Sequence, residues 1–372
     1  MTEDITYVGM DTHKETISVA LAEAGRSGEV RHFGRIANRP AAVERLARKL
    51  AKGHRRLRFS YEAGPCGYGL HRQLHELGHD CIVAAPSLIP RSPGERVQTD
   101  RRDAMKLARQ DRAGELVAIW VPDGAHEAMR DLVRGREAAV EAVMRARQQL
   151  LGFLLRQGRI YPGKTHWTRA HRRWLASLAF EHVAQRILFQ EQIEAIGEAQ
   201  ARRDRLTGQI ESLLAQWERA PLVAALMAMR GIALVSAMTL VAEIGDFRRF
   251  AKPSQLMAYL GLVPSEASSG KRVRRGAITR AGNARVRRIL DEAAWSYLGK
   301  PRIGVGLAQR QAGLAKPVRD IAWKAQLRLC HRFRHLLAKG KRRPLAVTAV
   351  AREMIGFLWA IARHVEPAAN PG

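Results

Sequence analysis

Tyr7-Val8-Gly9-Met10-Asp11-Thr12-His13-Lys14-Glu15-Thr16-Ile17-Ser18-Val19-Ala20-Leu21 reads as two short strands, Tyr7 to Asp11 and Thr16 to Leu21, folded back on each other across a tight turn. Val30 to Ile36 continues as a third strand. The apolar period then changes: Val43, Leu46, Ala47 and Leu50 share one face of a helix from Ala41 to Lys52. Leu57 to Glu62 reads as a fourth strand, Gly67 to Leu77 as a helix and Cys81 to Ala84 as a fifth strand.

Three meandering strands followed by alternating helices and strands is the order of an RNase H-like α/β domain. A Pro-rich connection, Pro86 to Glu95, leads to Thr99, a good N-cap for a helix from Asp100 to Gly114. Val117 to Val121 would then close the domain, which ends near residue 122. Between residues 123 and 220, apolar residues recur at helical spacing among many charges, predicting two long antiparallel helices, coiled-coil-like, joined by the irregular Gly158 to Trp167 stretch. From 221 to 372 a mainly helical domain follows, beginning with a helix, the turn Arg230-Gly231-Ile232-Ala233 and a second helix. That helix-hairpin-helix-like shape presents backbone N–H groups to phosphate.

The 372 residues carry 63 Lys+Arg against 35 Asp+Glu, a formal net charge of +28, so nucleic acid is the leading partner. A 46% apolar content sets the chain apart from basic tails that lack a core. Three cysteines without a CxxC pair argue against a disulfide framework and a thiolate zinc site, and fit a reducing cytosol. The opening residues lack a charged-then-apolar secretion pattern, and Arg352, Glu353 and Arg363 interrupt the apolar run Ala346 to Val365, so no membrane span is expected.

In so basic a chain, a few acids at structural edges suggest chemistry. Asp11 ends the first strand and Glu62 the fourth, neighbours at the sheet centre in this fold; Asp100 and Asp103, three apart, share a helix face. Four converging carboxylates could hold two Mg²⁺ ions about 4 Å apart and stabilise both oxygens of a phosphoryl transfer. The plainer alternative is that Asp100 and Asp103 favour a helix N-terminus and Asp11 starts a turn. A second constellation is Pro264-Ser265-Glu266-Ala267-Ser268-Ser269-Gly270. Serines before glycine usually mark a turn. Here Lys271, Arg272, Arg274, Arg275, Arg280, Arg285, Arg287 and Arg288 follow with no acid among them, so these are candidate nucleic-acid contacts and a serine would face phosphate. Such a serine could attack a DNA phosphodiester; spacing does not choose between Ser268 and Ser269. His71, His75 and His79 read as a helix face, and Trp174, Trp217, Trp295, Trp323 and Trp359 as core.

Val8 to Glu15, Tyr61-Glu62-Ala63-Gly64 and Thr99 to Ala104 resemble the DEDD motifs of the IS110/IS1111 transposases. Met229 to Ile232, Glu243 to Asp246, Tyr259 to Pro264, Ser268-Ser269-Gly270 and Gly276 to Asn283 resemble that family's C-terminal domain in order and spacing. The resemblance implies a RuvC-like domain whose metal-holding acids correspond to Asp11, Glu62, Asp100 and Asp103. It also implies a C-terminal domain whose nucleophile corresponds to Ser268, with Ser269 as the fallback. With these come Mg²⁺, a homo-oligomer (dimer or tetramer) in which one copy's serine completes another's acidic site, and an element-encoded guide RNA pairing with donor and target DNA. A cytoplasmic, nucleoid-associated bacterial setting follows. The family's hairpin is often Gly-Ile-Gly; Ala233 in place of the second glycine puts a Cβ where a phosphate would approach. Two rivals stay open: a RuvC-like structure-selective endonuclease using water, and a non-enzymatic nucleic-acid-binding protein.

Overall fold

A computed structural model describes residues 5–25, 27–52, 56–90, 99–269 and 272–366, and the chain divides into two compact units, Met1–Val121 and Pro122–Gly372. The first unit contains β1 (Ile5–Thr12), β2 (Thr16–Ala22), β3 (Val30–Ala37), α1 (Pro40–Leu50), β4 (Arg56–Glu62), α2 (Gly69–Glu76), β5 (Asp80–Ala84) and α3 (Asp100–Arg112). Its strands form one sheet in the order β3-β2-β1-β4-β5. The turn after Thr12 makes β1 and β2 antiparallel, whereas β4, reached through the crossover helix α1, runs parallel to β1. This is the mixed α/β order expected. Val117 to Val121 forms no strand: Ala118 makes an isolated bridge to Ala84, and Val117 is left exposed with no sheet face to bury.

The two sheet faces differ. Val8, Met10, Ile17, Val19, Leu57, Phe59 and Tyr61 form one large apolar cluster with Val43, Leu46 and Leu74, each such side chain contributing about 1.5–3 kcal/mol. The other face is built of small residues, Ala20 and Ala22 against Ala104 and Ala108 of α3. Gly9 belongs to that face: a Cβ there would collide with the backbone of Ala104 and Ala108. The helix therefore lies directly on β1.

The second unit contains α4 (Gly124–Arg156), α5 (Arg169–Ala176), α6 (Val183–Leu214), α7 (Ala220–Leu226), α8 (Leu234–Ile244), α9 (Pro253–Tyr259), the hairpin β6 (Pro264–Glu266) and β7 (Arg275–Ile278), α10 (Ala284–Ala294), α11 (Val305–Gln311), α12 (Lys316–Ala338) and α13 (Arg343–Val365). Helices α4 and α6 run antiparallel: Arg136 donates to Thr207 near one end, while Leu150 and Phe153 pack with Ile196 near the other. Arg134 grips buried Glu243 with two bonds of 2.7 and 2.9 Å, tying α4 to α8. Burial alone would raise the Glu243 carboxyl, but Arg134 and Asn283 hold it low.

Gly231, at φ 86°, is required by packing, because a Cβ would strike Ala293 and Ser296. Trp217 is buried, but Trp295 and Trp323 are 44% and 38% exposed, so they are not core; the Trp295 ring meets Phe333 at a tilt. Helix α13 is long and apolar enough to cross a bilayer. Its Val347, Val350, Met354, Leu358 and Ile361 instead join the core of this unit.

Candidate active site

The acid-bearing ends of three elements meet at one edge of the sheet. Met10 pairs with Tyr61, so Asp11 and Glu62 are the next residues on adjacent strands, and both line an open cleft of about 720 Å³. Thr99 caps α3 by accepting from the Arg102 N–H, which starts the helix at Asp100. With α3 seated on Gly9, the first turn of the helix carries its acids to the end of β1. Asp11, His13 and Asp100 offer ligand atoms all within 4.8 Å of one another. Glu62 and Asp103 stand outside that tight set, Glu62 along the cleft wall and Asp103 close enough for its charge to act on Asp11.

The electrostatics are those of crowded carboxylates. Burial raises the Asp11 carboxyl, and Asp100 and Asp103 raise it further, while His13 opposes them. Arg35 pairs with Asp100 at 3.0 Å. Hard oxygen donors plus one imidazole, packed so that ionisation is resisted, suit a divalent cation, which would relieve the repulsion.

His13 was not singled out by sequence as a site residue. Its Nε2 lies 3.2 Å from Asp11 and 3.5 Å from Asp100. The turn is held by Asn38, whose side chain donates to the His13 carbonyl at 2.7 Å. The available signal was the two-residue spacing of Asp11 and His13, which puts both on one side of an extended chain. Cys66, also exposed, lines the same cleft. His71 and His75 face each other on α2 with ring nitrogens 3.1 Å apart, while His79 packs on Phe59.

In the second unit, the hairpin β6–β7 carries the serines. Ser268 Oγ donates to Glu266 Oε1 at 2.8 Å and accepts from the Arg274 N–H at 3.3 Å. The Ser269 backbone exchanges two hydrogen bonds with Arg272. Gly270 and Lys271 lie outside the described residues. Arg272, Arg274 and Arg280 are exposed. The other candidate contacts have internal partners: Arg275 holds Glu266, Arg285 and Arg288 both hold Glu137, and Arg287 donates to the carbonyls of Leu260, Ala281 and Gly282. For Arg285, Arg287 and Arg288 sequence did not reveal this capture, because the accepting groups are backbone oxygens or an acid far away in the chain.

A transposase family model of the DEDD, IS110 type matches residues 8–158, and the model described as the transposase IS116/IS110/IS902 family matches residues 223–303. The Sinorhizobium fredii (strain NGR234) protein named "Putative transposase y4qE" is 50% identical over 358 residues, 96% of this chain and 88% of its own length. The transposase for insertion sequence element IS1533 of Leptospira borgpetersenii is 31% identical over 344 residues, 90% of this chain and 98% of its own. The transposase for IS1111A of Coxiella burnetii is 34% identical over 68 residues, 18% of this chain and 19% of its own.

Proposed function

The chain belongs to the IS110/IS116 family of transposases, and on that premise we propose that it cuts and rejoins DNA through a covalent serine–DNA link, at sites chosen by an element-encoded guide RNA. The observation that carries the cation-assisted cutting in this reading is the meeting of Asp11 and Asp100, residues from opposite ends of the first unit, with His13. Asp11, Glu62, Asp100 and Asp103 would hold the cation. A bound Mg²⁺ supplies positive charge beside the scissile phosphate and stabilises the oxygens that attack and depart.

The remaining work falls to the protein's own groups. Ser268 Oγ attacks phosphorus, with Ser269 as the fallback. Arg272 and Arg274, bonded through their backbones to the two serines, and Arg280, all three exposed, neutralise the strand, with Lys271, Arg275, Arg285, Arg287 and Arg288 assigned the same role. The net charge of +28 supports binding of both DNA and a structured RNA. We assign the acidic domain to 1–122, a long-helix linker to 123–220 and the serine domain with its basic tail to 221–372, acting in a homo-oligomer.

Incubating the purified protein with element-end DNA, the element's RNA transcript and Mg²⁺ tests the reading. A protein–DNA adduct on a denaturing gel, mapped to phosphoserine, is the expected result. Cleavage with no adduct would instead assign the nucleophile to water, as in a RuvC-like endonuclease. Adduct formation without the RNA would remove the guide from the mechanism.

A further inference from the structure

Ser268 and Glu266 face the same way on the hairpin. In extended chain, residues two apart project to one side, and the Ala267 N–H, bonded to the Arg274 carbonyl at 2.9 Å, keeps that stretch extended. The Ser268 hydroxyl donates to Glu266 Oε1 at 2.8 Å, the usual length for an O–H donor to an oxygen acceptor. Arg275, the cross-strand partner of Glu266, reaches its other oxygen, Oε2, at 3.3 Å. The Arg274 N–H occupies one lone pair of Oγ, which leaves the other for phosphorus. Nucleophile, base and a group orienting the base stand in the order that activated hydroxyls require.

We propose that Glu266 is the general base for Ser268, and that Arg275 is the positioning residue that aims it. The proposal rests on the serine reading above and adds the group that activates the hydroxyl. As the Oγ–P bond forms, the Oγ proton passes to Glu266 Oε1. The P–O bond to the departing deoxyribose oxygen breaks, and that oxygen takes a proton from water. On rejoining, an incoming deoxyribose hydroxyl attacks the phosphoserine and gives its proton to the hydroxide that the first step left in the solvent; the Oγ–P bond breaks, and Glu266 returns its proton to Oγ. The Ser268 and Arg275 hydrogen bonds hold the Glu266 carboxyl below its ordinary value, so it stands ionised, as an acceptor, at neutral pH.

The test is single-turnover adduct formation, with protein in excess over DNA, at neutral pH, where the Glu266 carboxylate is ionised. Glu266→Gln keeps the shape and the acceptor oxygen but cannot take a proton. It should slow the adduct by about 10²- to 10³-fold with DNA and RNA binding unchanged, and Glu266→Asp should recover part of the rate. In Glu266→Ala, added formate should restore adduct formation in proportion to its concentration, a response that a merely structural side chain would not give. Wild-type rates in Glu266→Gln would overturn the proposal. So would a slow Glu266→Ala variant that formate does not rescue. If Ser268→Ala still forms the adduct, the assignment of Ser268 as the nucleophile fails, a result separate from either of these.

Discussion

Gly9 of β1 lies against Ala104 of α3 so closely that a methyl group on Gly9 would overlap the Ala104 carbonyl oxygen and the Ala108 amide. This contact sets the depth at which α3 sits, and with it the approach of Asp100 and Asp103 to Asp11. Gly9→Ala should therefore destabilise the first unit by about 1–3 kcal/mol, as overpacking does, and should weaken cation binding. Denaturant midpoints and Mn²⁺ titration check the two effects. A variant with normal stability and normal cation binding would show that the close approach does not position the acids.

Asp11→Asn removes one carboxylate from the centre of the cluster while nearly preserving its shape. It should reduce DNA cleavage by about 10³-fold or more, the scale lost with an essential catalytic group, and leave DNA and RNA affinity close to wild type. Chelation of divalent ions should stop the wild-type enzyme in the same way, with recovery on adding Mg²⁺. Full recombination by Asp11→Asn would remove the cation from the proposed chemistry.

Ser268→Ala should abolish the protein-linked DNA species, and Ser269→Ala should leave it. The geometry favours this order because it is the Ser268 hydroxyl that points to Glu266. An adduct that survives Ser268→Ala and vanishes with Ser269→Ala would move the nucleophile by one residue.

Asp111, buried at the end of α3, has its carboxyl pushed up to about 6 by burial, against the opposing pull of Arg58 at 3.0 Å. The folded chain thus resists ionisation that the unfolded chain allows near pH 4. Its stabilising contribution is complete below that unfolded value and is lost as pH rises through about 6. Relative to Asp111→Asn, the wild-type protein should lose stability between about pH 4 and about pH 6 and stay level above it. Urea midpoints for the two proteins across that range give the slope; a constant difference would mean that Arg58 compensates the charge fully.

The strand order and the acids of the first unit were legible because both rest on local pattern. Alternation located β1, β2 and β4, the crossover through α1 made β1 and β4 neighbours, and Thr99 marked where α3 begins. Val117 to Val121 meets the sheet only through the Ala118 bridge to Ala84 and the Ile119 N–H to the Val83 carbonyl, with Ile119 and Val121 against the apolar cluster, non-local contacts that no pattern in the segment announces. Trp295 and Trp323 look like core residues by their neighbours in sequence, yet lie at the surface because each helix face is chosen by what packs against it.

Amino-acid order alone settles the charge that draws this chain to nucleic acid, the α/β plan of its first unit and the carboxylates and serines available for chemistry. Packing in three dimensions decides which of them meet. His13 joins Asp11 and Asp100 through a turn held by Asn38, and Glu266, two residues from Ser268 on one side of a hairpin, is gripped by Arg275 from the partner strand. Periodicity reports which face a residue occupies along one element, whereas contacts such as His13 to Asp100 and Arg275 to Glu266 arise only when separate elements are pressed together.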